Sequence, residues 1–129
     1  MLWRGRQRKK TRKELGEIAE DHAARYLRSK GYRVLERNYL AHGGEVDIVA
    51  EQGDALVFVE VKSRSSAEHA SPRESVTPGK QRRIVKAAST YLASVQGRER
   101  LTRFDVVEVL ITPQGRVENI VVIDGAFTA

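Results

Sequence analysis

The segment Gly43–Arg64, GGEVDIVAEQGDALVFVEVKSR, reads as two strands joined by a tight turn, with acidic residues where an apolar pattern should continue. Successive side chains in a strand alternate between faces. Glu45, Asp47, Val49 and Glu51 therefore share one face of the first strand. Leu56, Phe58, Glu60 and Lys62 share one face of the second, with Val57, Val59 and Val61 behind them. A strand that is apolar on both faces is a buried strand. Glu60 and Lys62 thus stand at the end of one, where a charge is costly unless it is paired or metal-bound.

The turn fixes which carboxylates meet. A two-residue Gly53-Asp54 turn sets Gln52 opposite Ala55, and a four-residue loop sets Glu51 opposite Leu56. Both give one register, with Asp47 across from Glu60 and Glu45 across from Lys62. A three-residue loop without a bulge would send the two carboxylates to opposite faces. Directly opposed Cβ atoms lie about 5 Å apart, and two carboxylates that close repel unless a proton or a cation lies between them. A hard divalent ion with oxygen ligands answers that repulsion.

In that register Asp47 and Glu60, with the backbone carbonyl of Val61, are the expected ligands of Mg²⁺ or Mn²⁺. Such an ion leaves positions for water and a phosphate oxygen, which points to phosphodiester hydrolysis. Lys62 is then the cation for the attacking water or a non-bridging oxygen, and Arg64 the grip on a neighbouring phosphate. Glu45 supports the pair from the same face. The competing reading is a surface hairpin with cross-strand salt bridges such as Glu45 to Lys62, worth little when exposed.

The remaining chain supplies the frame. Leu15 to Ser29 has helical period, with Ala19, Ala23, Tyr26 and Leu27 as its stripe and Gly31 as its stop. Glu20 lies at the edge of that stripe and Glu17 further out. If this helix packs beside the hairpin, Glu20 holds the water or completes a second metal site. Tyr32–Tyr39 reads as a strand, and Ala41–Gly44 as a turn that includes His42. Ser63–Gly79, with two prolines and five serines, reads as an exposed loop. A second helix is expected from Pro78 to Ser94 with Thr77 as its cap. Its stripe is Ile84, Val85, Ala88, Tyr91 and Leu92. Lys80, Arg82, Arg83 and Lys86 fill the other arc, either as a solvated face or as a surface that tracks phosphates. Arg103–Ile111 and Arg116–Ile123 close the chain as strands. Asp105 is either a supporting residue or a strand-end one. The order α-β-β-β-α-β-β predicts an α/β fold with a mixed sheet covered on both faces.

Charge divides the 129 residues unevenly. The first 13 carry +7 with no acid, while the remainder sums to −1. Residues 1–13 therefore read as a disordered basic tail, either phosphate-binding or merely solubilising, and 14–129 as a single domain. No cysteine is present, which removes disulfides and thiolate zinc sites and fits a reducing, cytoplasmic setting. His22, His42 and His69 lack ligand spacing. No segment has the length or apolarity of a membrane span.

Three motifs together carry a resemblance: G-x-x-x-E at Gly16–Glu20, GEVD at Gly44–Asp47 and FVEVKSR at Phe58–Arg64. They resemble the PD-(D/E)xK nuclease pattern, with Val46-Asp47 where that pattern has Pro-Asp. More closely, the chain resembles the small bacterial YraN-type family, which is similar to archaeal Holliday-junction resolvases. The resemblance covers roughly residues 14 to 124. It implies a restriction-endonuclease-like three-layer core, metal ligation by Asp47 and Glu60, catalysis by Lys62 and an auxiliary role for Glu20. Two hypotheses follow: an endonuclease acting on duplex, branched or damaged DNA, or a non-catalytic module on the same fold that binds DNA or a protein. A weaker third is an adaptor that docks a partner through Ser63–Gly79. By analogy with resolvases, a homodimer is expected.

Overall fold

The computed structural model describes residues 8–65, 76–95 and 100–129. Helix α1 (Arg12–Ser29) begins at Thr11, whose hydroxyl accepts the Glu14 N–H while the Glu14 carboxylate accepts the Thr11 N–H. This reciprocal cap satisfies two N–H groups that a helix start otherwise leaves open. The Arg8 guanidinium forks onto the same Glu14 carboxylate, and the Lys10 N–H donates to the Pro113 carbonyl at 2.8 Å. The basic stretch is therefore anchored from Arg8 onward, and the domain starts earlier than residue 14. Residues 1–7 lie outside the described residues.

Strands β1 (Arg33–Ala41), β2 (Gly44–Gln52) and β3 (Ala55–Arg64) form an antiparallel meander with two-residue turns at His42-Gly43 and Gly53-Asp54. Gly53 takes φ 56°, the left-handed geometry such a hairpin turn requires. Helix α2 (Pro78–Ser94) has Thr77 as its cap and Pro78 in its first turn, as expected. It carries the chain over to β4 (Leu101–Ile111), which runs parallel to β3, and β5 (Val117–Phe127) returns antiparallel. The sheet order is β1-β2-β3-β4-β5. β3 continues through Ser63 and Arg64, the residues expected to open a loop, while residues 66–75 lie outside the described ones.

The two helices cover opposite faces. Ala19, Ala23, Ala24 and Leu27 of α1 pack on Ile48, Ala50, Val57, Val59, Val107 and Val109. Ile84, Ala87, Ala88 and Tyr91 of α2 pack on Val49, Leu56, Phe58, Phe104 and Val106. The doubly apolar β3 is thus the spine of a three-layer α/β domain, and burial of these side chains is its main driving force. On the α2 side the backbones come close. A Cβ on Gly44 would run into the Arg83 carbonyl and lie 3.0 Å from the Ala87 nitrogen, so a bare glycine lets α2 settle on the start of β2. Among the described residues no helix is long and apolar enough to cross a membrane.

Candidate active site at the open end of the hairpin

The β2–β3 ladder runs from Gln52↔Ala55 through Glu51↔Leu56 to Ile48↔Val59, the register expected from the turn. Asp47 and Glu60 are the next pair along it. There the main-chain pairing stops, and the Val61 N–H donates instead to Oδ2 of Asp47 at 2.7 Å. A strand residue presents its N–H and C=O to the same side, so the Val61 carbonyl projects toward Asp47 as well. The same point is irregular on the β1 side. The β1–β2 ladder pairs Arg37 with Ile48 and Tyr39 with Val46, and between them Asn38 takes φ 53°, which asparagine tolerates. Strict alternation also fails here, since Val46 and Val49, three apart, both join the α2-side core. This distortion leaves Asp47 at the junction of the two faces.

The electrostatics follow from that placement. Glu60 is 5% exposed. Burial pushes the Asp47 carboxyl up to about 7, with the charge of Glu60 as the next cause and the Val61 N–H pulling the other way. Lys80, from the first turn of α2, meets Oε2 of Glu60 at 2.9 Å. Burial opposes the charge on Lys80, but the hydrogen bond and charge of Glu60, with Asp47 and Glu45 nearby, hold its pKa above the ordinary value.

Asp47 and Val61 line a cleft of about 840 Å³ walled by Gly16, Glu17, Glu20 and Asp21 of α1, with Arg12, Lys13, Arg37 and Asn38 around it. Glu20 faces this cleft, and its Oε1 accepts from Arg37 Nε and Nη2 and from Asn38 Nδ2 at 2.8–3.1 Å. Burial raises the Glu20 carboxyl against those donors, and the Asp47 charge adds to the rise. Arg37 also holds Asp21 at 2.7 Å. Sequence reasoning did not single out Arg37 and Asn38. The signal available was an arginine-asparagine pair on a strand with mixed faces.

Other expected site residues lie elsewhere. Lys62 lines a neighbouring cleft of about 400 Å³ with Arg12, Leu15, Ser63, Arg64 and Ile111. Its side chain has no ion pair among the described residues. Arg64 is not an exposed phosphate grip. It is buried with its Nε 2.6 Å from Oε2 of Glu108, because parallel β3–β4 pairing brings the two together on one face. Lys80 belongs to the carboxylate pair rather than to the outer face of α2. Arg82, Arg83 and Lys86 are exposed on that helix, and Glu45 is exposed beside the site. Among the described residues no group of three or more His, Cys, Asp or Glu side chains stands close enough to hold a metal ion. Glu20 therefore does not join Asp47 and Glu60 as a third ligand. The available donor set is two carboxylates and a carbonyl. It is all oxygen, electrostatically unbalanced and open to a cleft, and it fits a hard divalent cation that keeps several waters.

The sequence pattern of "Uncharacterised protein family UPF0102" matches residues 19–109, which hold α1 from Ala19 on, the meander, α2 and most of β4. A UPF0102 protein of Moorella thermoacetica is 48% identical over 117 residues, covering 91% of this chain and 98% of that protein. One from Dictyoglomus turgidum is 44% identical over 115 residues, 89% and 98% of the two chains. One from Myxococcus xanthus is 46% identical over 120 residues and 92% of each. The expected YraN-type kinship agrees with these matches, and the chain belongs to the UPF0102 family.

Proposed function

We propose that this protein is a divalent-metal-dependent DNA endonuclease that hydrolyses phosphodiester bonds in branched or damaged duplexes. The observation that carries the reading is the pair of half-buried Asp47 and buried Glu60 at the open end of the hairpin, where two carboxylates and the Val61 carbonyl converge beside a cleft. Asp47, Glu60 and the Val61 carbonyl would hold Mg²⁺ or Mn²⁺. When bound, the ion would activate water and offset charge on the phosphate being cut.

The chain's own residues do the rest. Glu20, fixed by Arg37 and Asn38, faces Asp47 across the cleft and orients water there. Lys62, two residues along from Glu60, supplies a positive charge to the phosphate from the adjoining cleft. Arg12, Lys13 and Arg37 on the rim, with Arg82, Arg83 and Lys86 on α2, attract the polyanion. Cutting two strands of a branched substrate calls for two copies, so the working form is a homodimer. The absence of cysteine fits action in the cytoplasm.

A second reading, a DNA- or protein-binding module without turnover, is favoured by one contact. Lys80 already gives Glu60 a counter-charge without a metal.

Cleavage of labelled duplex, flap and four-way-junction DNA with Mg²⁺ or Mn²⁺ separates the two. Metal-dependent cutting that EDTA, Glu60→Ala and Lys62→Ala each abolish is the expected result. Salt-sensitive binding with no cutting under either metal leaves the binding module. Cutting that survives Glu60→Ala removes this site from the chemistry.

A further inference from the structure

Lys80 sits where helix energetics do not favour a cation. It is the third residue of α2, in a first turn that holds no acid, at the end where the helix dipole is positive. Its side chain is only 34% exposed, so it also gives up part of its hydration. Both costs are local. What offsets them is one contact, with Glu60, whose side chain is 6% exposed, together with the nearby charges of Asp47 and Glu45. A local choice that contradicts its own helix but serves a distant carboxylate marks a position selected by the site.

The Glu60 oxygen that Lys80 holds belongs to the pair assigned above to the divalent ion. An ammonium and a divalent cation compete for it, because each supplies the positive charge that lets two carboxylates stand together. We propose that Lys80 is the built-in counter-cation of the Asp47–Glu60 pair: it holds the pair together without metal, must be displaced for metal to bind, and so sets the metal affinity of the site. This rests on the metal-site reading above. The four-carbon stem lets the ammonium swing off Glu60 while α2 stays seated on Gly44. Lys80 is a positioning residue, acting through Glu60.

The test is Mn²⁺ binding to the full chain, followed by electron paramagnetic resonance at pH 8, with thermal melts of the same samples without metal. Wild type, Lys80→Met, Lys80→Arg and Asp47→Asn are compared. The expectation is that Lys80→Met binds Mn²⁺ about tenfold tighter than wild type, since a competitor is gone, and melts lower without metal, since Glu60 is left unpaired. Lys80→Arg restores both values toward wild type, and Asp47→Asn loses the binding. Should Lys80→Met be too unstable to titrate, Lys80→Gln, which keeps a hydrogen-bond donor for Glu60, is expected to bind more tightly by a smaller factor. Equal or weaker binding in Lys80→Met or Lys80→Gln, with wild-type binding intact and lost in Asp47→Asn, overturns the role of Lys80 and leaves the metal site standing. No binding in any form, or binding unchanged by Asp47→Asn, removes the metal site and this inference with it.

Discussion

Asp47 and Asp105 are both aspartates on interior strands of one sheet, and their surroundings are opposite in kind. Asp105 is completely buried, yet every direction from it ends in a donor. Arg103 forks onto its two oxygens at 2.8 and 2.9 Å, the Gly125 N–H donates at 2.9 Å, and the Tyr32 hydroxyl donates at 3.2 Å. Burial raises the Tyr32 pKa, with the negative charges of Asp105 and Asp124 adding to it, so the phenol remains a donor. Asp47 has one N–H, from Val61, and a second carboxylate as its neighbour, while the ammonium of Lys80 is bonded to that neighbour. A carboxylate surrounded by donors is an anchor. One left short of them is a seat for a cation. The side chain is the same, and the surroundings assign the role.

The largest expected effect is on the anchor. Asp105→Ala strands Arg103 and the Gly125 N–H, and urea denaturation should show a loss of about 3–5 kcal/mol. Asp47→Asn should do the reverse at pH 8, gaining on the order of 1 kcal/mol by removing a like charge, while the amide oxygen still accepts from Val61. If both substitutions destabilise alike, the contrast is broken.

The pH dependence is next in size. Asp47 has its folded pKa raised from 3.8 to about 7, so between those values the folded state holds a proton that the unfolded state has released. Its contribution to stability therefore falls as pH rises from about 4 to 7 and stays unfavourable above that. Unfolding free energy measured across this range should show the decline in wild type and not in Asp47→Asn. Divalent-ion affinity should move the other way, rising as the proton leaves.

Two glycines give the smallest and sharpest pair. Gly125, beside the anchor, takes φ 59°, so Gly125→Ala should cost about 1 kcal/mol. Gly16, inside α1 on the cleft wall, has empty space where a Cβ would go, so Gly16→Ala should stabilise by about 0.5–1 kcal/mol. Thermal melts of the two variants should shift in opposite directions.

Much of this was legible from the chain. The Gly53-Asp54 turn determined the hairpin register, and the register alone opposed Asp47 to Glu60. Thr77-Pro78 marked the start of α2, and the stripe of α1 placed Glu20 at its edge. Facts that depend on docking were not legible. Helical periodicity put Lys80 on the polar arc of α2, but only the seating of that helix on Gly44 turns the ammonium toward Glu60. Arg64 looked available until the parallel β3–β4 register set it against Glu108. Asn38 takes a left-handed conformation within a strand, which no local pattern of YRVLERNY announces. The anchor at Asp105 joins five residues from three stretches of the chain, Tyr32, Arg103 with Asp105, and Asp124 with Gly125, and nothing in the pattern of one stretch points to the other two.

The parallel pairing of β3 with β4 also bears on the order in which the molecule assembles. β1, β2 and β3 are joined by two-residue turns, so their contacts close over short stretches of chain, whereas Glu60 pairs with Val106 across 46 residues. Short loops close far faster than long ones. The hairpin that opposes Asp47 to Glu60 thus forms in the quick step, before the crossover has delivered α2 and the ammonium of Lys80. A growing chain meets the repulsion first and its relief later, and the nascent hairpin is held in the interval by its apolar residues and by whatever protons the solvent supplies.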